Sequence, residues 1–277
     1  MPLKLMYITN MPQVAALAQD AGVDRIFIDL ETVGKQERQG HLNSVKSHHA
    51  VEDICRVRSV LHSAELLVRI NPIYAGSRDE IDAVIDNGAD IIMLPMWKSL
   101  SEVDVFLNQV NDRAKCMLLL ETKEAVGILD DVLRLKGIDE IHIGLNDLHI
   151  SYNKIFMFEL LCDGTVERIC KKIQEAGHIF GFGGVGRIGF GEVPAEYILA
   201  EHYRLGSKMV ILSRSFCDIS TEKDLCVIKS RFFDGVKDIR MRENECKMWT
   251  YNQFADNQKA ISVCVRRAIG EMTRISV

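Results

Sequence analysis

The stretch CMLLLETKEAVGILDDVLRLKGIDEIHIG, residues 116–144, contains the repeating unit from which the fold can be predicted. It opens and closes with short apolar runs, CMLLLE and DEIHIG, and between them Ala125, Leu129 and Val132 recur at helical spacing. Nearly continuous apolar runs are typical of strands that are buried on both faces, as in a parallel sheet. The stretch therefore predicts a strand, a helix and a second, parallel strand.

The same unit recurs along the chain. Eight apolar runs have this character, and they span residues 3–8, 25–30, 65–70, 90–95, 116–121, 139–144, 178–184 and 208–213. The segments between them are long enough for crossover helices, and several of these end at a glycine just before the next run, where glycine closes a helix. Eight such units predict an α/β fold, a (β/α)8 TIM barrel over residues 1–240. The alternative is a doubly wound open sheet, which more often has about five to seven strands.

Residues 241–277 form a C-terminal extension beyond the eighth unit. Ile261, Val265, Ile269 and Met272 repeat at helical spacing, so we expect a helix that must bury this apolar stripe. The stripe can pack on its own barrel or be exchanged with a neighbouring subunit, and both remain open. The second arrangement predicts a homo-oligomer.

The composition excludes several classes of protein. Of the 277 residues 47% are hydrophobic and 26% are charged, as in a globular protein, and the net charge is −5. This balance gives no reason to expect nucleic acid or an anionic membrane as a partner. The eight cysteines form no C-x-x-C pair and no zinc spacing. Together with the lack of a signal peptide or an apolar membrane span, this predicts reduced cysteines and a cytoplasmic protein.

Polar residues follow the apolar runs, at the barrel end where TIM barrels carry their active sites. Glu121 and Asp147 follow two adjacent runs, and Arg69 ends the third run. Two carboxylates together with substrate oxygens suit Mg²⁺ or Mn²⁺, and such a metal acts as a Lewis acid on a chelating 2-oxo acid. Arg69 can then balance the charge that develops on an enolate. Alternatively, the two acids only cap the helices that follow them.

The segments IFIDLE, LLVRIN, GADIIMLPM, LLLETKEAV and IDEIHIGLNDL, in this order and spacing, resemble the HpcH/HpaI aldolase and citrate lyase β-subunit family over roughly residues 20–215. The resemblance implies that Glu121 and Asp147 bind the divalent metal and that Arg69 contacts the keto or enolate oxygen. It also implies that the backbone around Gly144 to Asp147, including Asn146, receives the substrate carboxylate. Members of the family commonly exchange a C-terminal helix between protomers, which suits the extension.

Two positions depart from the family pattern. Pyruvate aldolases of the family usually carry a histidine directly after the D-x-E segment, whereas this chain has Thr32. They usually carry a glutamine two residues before the metal-binding glutamate, whereas this chain has Leu119. The citryl-CoA branch places a second acid where Thr32 stands. The long polar segment after the second strand contains His41, His48 and His49, and we expect one of them to serve as the acid/base.

The sequence predicts a divalent-metal-dependent carbon–carbon lyase that acts through the enolate of pyruvate or a related 2-oxo acid. One alternative is a CoA-thioester lyase of the citryl or malyl type, and another is a non-catalytic barrel that binds metal and oxo acid. The segment GVGRIG, residues 184–189, matches G-x-G-x-x-G but lies in the seventh unit rather than the first, which argues against dinucleotide binding. Arg214, after the eighth run, is a candidate ligand for a distal carboxylate or phosphate; the alternative is a surface ion pair.

Overall fold

The computed structural model describes residues 2–32 and 49–275. Its centre is a closed barrel in which each of eight parallel strands pairs with the next and the eighth pairs with the first. The strands are β1 (Lys4–Ile8), β2 (Arg25–Asp29), β3 (Glu65–Arg69), β4 (Ile91–Leu94), β5 (Lys115–Leu120), β6 (Glu140–Ile143), β7 (Ile179–Val185) and β8 (Met209–Leu212). Each lies within one of the eight predicted runs or extends it by one residue. The (β/α)8 TIM barrel prediction is therefore confirmed.

The helices of the described residues surround the strands. They are α1 (Pro12–Asp20), α2 (Val51–Arg58), α3 (Ser77–Asp86), α4 (Leu100–Val110), α5 (Lys123–Gly127), α6 (Leu129–Val132), α7 (Leu145–Ser151), α8 (Glu159–Cys162), α9 (Thr165–Glu175), α10 (Ala195–Leu205), α11 (Leu225–Cys246) and α12 (Tyr251–Ile275). Gly22, Gly88 and Gly177 follow α1, α3 and α9 with positive φ angles. Glycine adopts this conformation without steric strain, so each of these helices can end and the chain can turn into the next strand.

Both faces of the sheet are buried, which explains the apolar runs. The outer face packs against the helices, and the inner face forms a smaller cluster in the barrel interior: Met6, Phe27, Leu67, Ile91, Met93, Met117, Leu119 and Met209. At the amino-terminal ends of the strands the interior contains a fully buried arginine, Arg25. Its guanidinium donates to Glu140 at 2.7 Å and to Glu65 at 2.8 Å. Because this ion network fills the barrel interior at the amino-terminal ends of the strands, the polar groups at the carboxyl-terminal ends are the ones available to a ligand.

The C-terminal extension packs on the barrel of its own chain. Ile261 and Val265 are buried, and α12 contacts α10 and α8. The predicted boundary at residue 240 falls inside α11. The homo-oligomer remains a prediction.

Two further properties follow from the described residues. The eight cysteines are free in the described residues, and Cys55, Cys162 and Cys226 are exposed. In residues 2–32 and 49–275 we find no helix with the length and apolarity that a membrane crossing requires.

Candidate active site

Arg69 forms the positive centre of the carboxyl-terminal rim. Its Nε and one terminal nitrogen each donate to an oxygen of Asp29 at 2.9 Å, and the other terminal nitrogen lies 3.3 Å from Glu31. Asp29 and Arg69 are register partners on β2 and β3, so strand pairing itself brings them together. Burial alone would lower the pKa of Arg69, but the charges of Asp29 and Glu31 outweigh burial and raise that pKa above its ordinary value. Arg69 is therefore a fixed, permanent cation.

Glu121 follows β5 and is 3% exposed. One carboxylate oxygen accepts the backbone N–H of Met96 at 3.0 Å. The other carboxylate oxygen would lie 2.9 Å from a Cβ on Gly144. A glycine is therefore needed at position 144 for steric reasons, and not for its backbone conformation. Burial and then the charge of Asp147 raise the pKa of Glu121 to about 8, against the opposing effect of Arg69. The ionised form of Glu121 is thus unfavourable unless a further cation is present.

Asp147 lies in the first turn of α7, directly after β6. Gly144 is the N-cap residue of this helix, and its N–H donates to the carbonyl of Leu120 at 2.9 Å, which joins the ends of β5 and β6. The side chain of Asp147 is half-buried, and Asn146 beside it is exposed. An acid in the first turn is favoured by the helix dipole, as the capping alternative predicted. Its charge nevertheless acts on Glu121, so the two carboxylates share one region of the rim.

Of the three loop histidines, only His49 lies in the described part of the chain; His41 and His48 lie outside it. The N–H of Asp29 donates to Nδ1 of His49 at 3.0 Å. This N–H faces β1, but the pairing of β1 with β2 ends at the Ile8–Phe27 pair. The ring nitrogen of His49 therefore takes the place of the backbone carbonyl that a longer β1 would offer to the N–H of Asp29. His49 therefore lies at the rim beside the Asp29–Arg69 pair, with its ring proton on Nε2.

A local clamp holds His49 in this place. The next residue, Ala50, donates its N–H to the carboxylate of Asp53 at 2.9 Å. The same oxygen of Asp53 accepts from the side-chain amide of Asn10 at 2.8 Å, and Asn10 lies just beyond β1. The sequence reasoning missed this clamp. Its only signal was an aspartate three residues into α2, where it completes an N-terminal cap.

The family model for HpcH/HpaI aldolase/citrate lyase matches residues 5–155 of the chain. The chain belongs to this family. The match includes the elements that carry Asp29, Arg69, Glu121 and Asp147, and the family is of aldolase and lyase type. A comparison with curated proteins finds no match.

Solved structures with the same barrel include members of the HpcH/HpaI family. A structure of an HpcH/HpaI aldolase from Desulfitobacterium hafniense DCB-2 is 17% identical, with a TM-score of 0.60 over 86% of this chain and 93% of that chain. A family protein from Burkholderia cenocepacia J2315 is 13% identical, with a TM-score of 0.56 over 76% and 88%. The citrate synthase SbnG is 18% identical, with a TM-score of 0.54 over 77% and 87%. At these identities the likeness shows the fold.

The two departures from the HpcH/HpaI pattern have clear structural settings. The N–H and hydroxyl of Thr32 both donate to the side-chain oxygen of Asn71, at 2.9 and 3.3 Å, and the amide of Asn71 donates to Glu80 at 2.8 Å. Leu119 packs in the apolar barrel interior and approaches Gly144 from below. Neither side chain presents a group that exchanges protons near neutral pH.

Two further histidines lie on β6 and α7, next to the candidate site. His142 is buried, its Nε2 contacts the carbonyl of Gly183 at 3.1 Å, and burial lowers its pKa to about 4, as expected of a core histidine. Nδ1 of His149 contacts the carbonyl of Leu145 within α7.

The donor chemistry of the rim fits a hard divalent cation. Among residues 2–32 and 49–275 no group of three or more His, Cys, Asp or Glu side chains is arranged to hold a metal, so a metal here would rest on two protein carboxylates. Glu121 and Asp147 offer oxygen donors, which Mg²⁺ and Mn²⁺ prefer, and Mg²⁺ commonly keeps several waters. Burial and then the charge of Asp147 raise the pKa of Glu121, and a bound cation would favour the ionised form of this carboxylate.

Proposed function

We propose that this protein is a divalent-metal-dependent carbon–carbon lyase that acts through the enolate of pyruvate or a related 2-oxo acid. The observation that carries the proposal is the buried Glu121, whose pKa is raised by burial and by Asp147 while the permanently charged Arg69 lies close enough to oppose the effect. The helix that follows Glu121 is already capped by Thr122, whose hydroxyl accepts the N–H of Ala125, so capping does not account for Glu121. Membership in the HpcH/HpaI aldolase/citrate lyase family supports the reaction type.

In this proposal Glu121 and Asp147 hold Mg²⁺ or Mn²⁺. The bound ion supplies Lewis acidity at the keto oxygen of the substrate and so stabilises negative charge on that oxygen. The residues around it have separate tasks. Asn146 and the amides that begin α7 provide hydrogen-bond donors for the substrate carboxylate, and the N-terminal end of the helix favours an anion there.

Arg69 steadies the enolate oxygen. Two of its nitrogens are held by Asp29 in a bidentate pair, so its guanidinium plane is fixed before the substrate binds. In the cleavage direction a base takes the proton of the hydroxyl on C4 of a 4-hydroxy-2-oxo acid, and the C3–C4 bond breaks to release a carbonyl compound. The electron pair passes to the pyruvyl fragment as its enolate, which is then protonated at C3. Arg69 stabilises the negative charge on the enolate oxygen and so lowers the barrier to breaking the C3–C4 bond.

The proton carrier is proposed to come from the histidine-containing segment. In the geometry of His49 the ring proton is on Nε2, because Nδ1 accepts the N–H of Asp29. Because Nδ1 is occupied in this way, His49 takes up a proton at Nδ1 only when the contact with Asp29 is released. His48, which lies outside the described residues, remains the other predicted carrier.

The proposal is tested by exchange of the pyruvate methyl protons in deuterium oxide with Mn²⁺, followed by NMR. We expect exchange with the wild-type protein, and we expect Glu121→Gln and Asp147→Asn each to weaken Mn²⁺ binding about a hundredfold and abolish exchange. Glu124→Gln, which removes an exposed acid three residues from Glu121, is the matched control and should retain both. Replacing His48 and His49 singly with alanine identifies the proton carrier.

A second candidate function is a barrel that binds metal and oxo acid without catalysis. It is favoured by Thr32 and Leu119, because a hydroxyl tied to Asn71 and a buried alkyl chain occupy the two positions where the family usually has a histidine and a glutamine. Retained Mn²⁺ and pyruvate binding without deuterium exchange would select this candidate over the lyase.

A further inference from the structure

The loops that follow β7 and β8 touch one another at the carboxyl-terminal end of the barrel. A Cβ on Gly186 would lie 2.5 Å from the hydroxyl oxygen of Ser215, which in turn lies 2.8 Å from the hydroxyl oxygen of Ser213. The missing side chain of Gly186 allows its backbone to approach this pair of hydroxyls. The two segments, 186–188 and 213–215, form one continuous surface that we name the β7–β8 rim.

The β7–β8 rim has backbone donors that nothing in the described chain uses. Within residues 2–32 and 49–275 the N–H groups of residues 186–188, 214 and 215 have no hydrogen-bond acceptor. Their neighbours are satisfied: Gly189 donates to Glu196 at 2.9 Å, and Ser213 donates to the carbonyl of Val185 at 2.9 Å. Clustered N–H groups in adjoining turns form concave sites for anions.

Two arginines flank these donors. Across the described ranges neither Arg187 nor Arg214 forms an ion pair. The guanidinium carbon of Arg187 lies 4.7 Å from the ring centroid of Phe190, and this ring is 55% exposed, so the contact supports the arginine without neutralising it. Asp218, the acid nearest to Arg214 in sequence, accepts from the N–H and hydroxyl of Ser220 at 2.9 and 2.6 Å. These hydrogen bonds and, as a smaller contribution, the charge of Arg214 lower the pKa of Asp218, so the carboxylate acts on Arg214 without forming an ion pair with it.

The β7–β8 rim adjoins the proposed reaction site. A Cβ on Gly183 would lie 2.8 Å from the side chain of Leu145, the first residue of α7, and this helix also carries Asp147. Asp29 and Arg69 end β2 and β3, and Glu121 and Asp147 follow β5 and β6. The rim above β7 and β8 is therefore a separate, electropositive part of the same barrel mouth.

We propose that the β7–β8 rim binds a phosphate group carried by the carbonyl partner of the reaction. Arginine and clustered backbone N–H groups are the donors that phosphate oxygens accept, and loops after the seventh and eighth strands are where TIM barrels often bind phosphate. The role of the partner rests on the proposed lyase function, whereas phosphate binding itself does not. The substrate class is thus a phosphorylated aldehyde that condenses with, or is released from, a 2-oxo acid enolate.

Binding is tested first without any reaction, by calorimetric titration of inorganic phosphate into the wild-type protein. Two double variants are compared: Arg187→Gln with Arg214→Gln, and the matched control Arg266→Gln with Arg267→Gln, which removes two exposed charges from α12. We expect each arginine of the rim to contribute about tenfold to the affinity for phosphate. The rim double variant should lose about a hundredfold, and the control should bind like the wild type.

Activity gives the second readout. With pyruvate and glyceraldehyde 3-phosphate the rim double variant should raise KM for the phosphorylated aldehyde about a hundredfold, whereas the control should not change it. Phosphate binding that survives in the rim variant, that is equally weak in the control, or that is absent from the wild type overturns the proposal. So does arginine-dependent binding of succinate in the absence of phosphate binding. If the wild type binds phosphate but fails to exchange pyruvate protons, the lyase function is wrong and the anion site stands.

Discussion

Replacement of Glu121 by glutamine should stabilise the metal-free protein at alkaline pH. In the folded chain the pKa of Glu121 is raised from 4.5 to about 8, first by burial and then by Asp147. Folding stability from this group is fully present below pH 4.5, because both states then hold the proton. It is lost as the pH rises to about 8, since only the folded state keeps the proton over that interval, and the interval corresponds to about 5 kcal/mol.

Glutamine has no charge to desolvate and can still accept the N–H of Met96. In excess chelator we therefore expect Glu121→Gln and wild type to be similar near pH 4.5, and the variant to be more stable by up to about 5 kcal/mol at pH 9. Urea unfolding at pH 4.5, 7 and 9 measures the difference, and Glu124→Gln, an exposed acid, should follow the wild type at each pH. With Mn²⁺ the order should reverse, because only the wild type gains binding energy. A variant that is less stable than wild type by the same amount at every pH in chelator would refute the reasoning.

Three other predictions concern the fold. Arg25→Met leaves the buried Glu140 without its arginine and should lower the free energy of unfolding by about 3–5 kcal/mol. The double variant Arg25→Met with Glu140→Leu should recover most of that free energy, and an equal loss in both variants would contradict the reasoning. Burial lowers the pKa of His202 from 6.5 to about 3, so this residue should lower the stability of the wild type by about 1.4 kcal/mol per pH unit as the pH falls below 6.5. In urea unfolding at a series of acidic pH values, the stability of His202→Gln should fall less steeply than that of the wild type. Gly181→Ala places a Cβ 2.2 Å from the side chain and 2.3 Å from the carbonyl oxygen of Met209 and should cost about 3 kcal/mol. Gly127→Ala, whose added Cβ would meet no atom of residues 2–32 or 49–275 within 4 Å, should be neutral or stabilising in thermal unfolding.

The barrel could be predicted from the sequence because its signal is local. Each strand is an apolar run buried on both faces, and each crossover helix has its own period and closing glycine. No knowledge of distant contacts is needed to read these patterns, so all eight strands were predicted within a residue or two. The extension was predicted as a helix for the same reason, but its apolar stripe did not indicate which surface it packs against. In the structure Ile261 and Val265 are buried, and α12 contacts α10 and α8 of its own chain.

The roles of the rim residues were harder to predict. Arg69 was expected to face the carboxylates of β5 and β6, and the structure also ties it to Asp29 by two hydrogen bonds across the β2–β3 register. His49 was predicted as one of three possible acid/base residues, and the structure adds that its Nδ1 accepts the N–H of Asp29. Both contacts depend on where one strand stops relative to its neighbour, and a sequence does not display that register.

The amino-acid sequence by itself determined which chemical groups stand at the ends of the strands. Carboxylates follow β2, β5 and β6, an arginine ends β3, and glycines and hydroxyls follow β7 and β8. Only the tertiary structure decided how these groups act on one another, because closure of the barrel brings together residues that lie dozens of positions apart. Burial at that closed rim turns an ordinary glutamate into one with a pKa of about 8. The desolvation and neighbouring charges that cause this shift exist only in the folded chain.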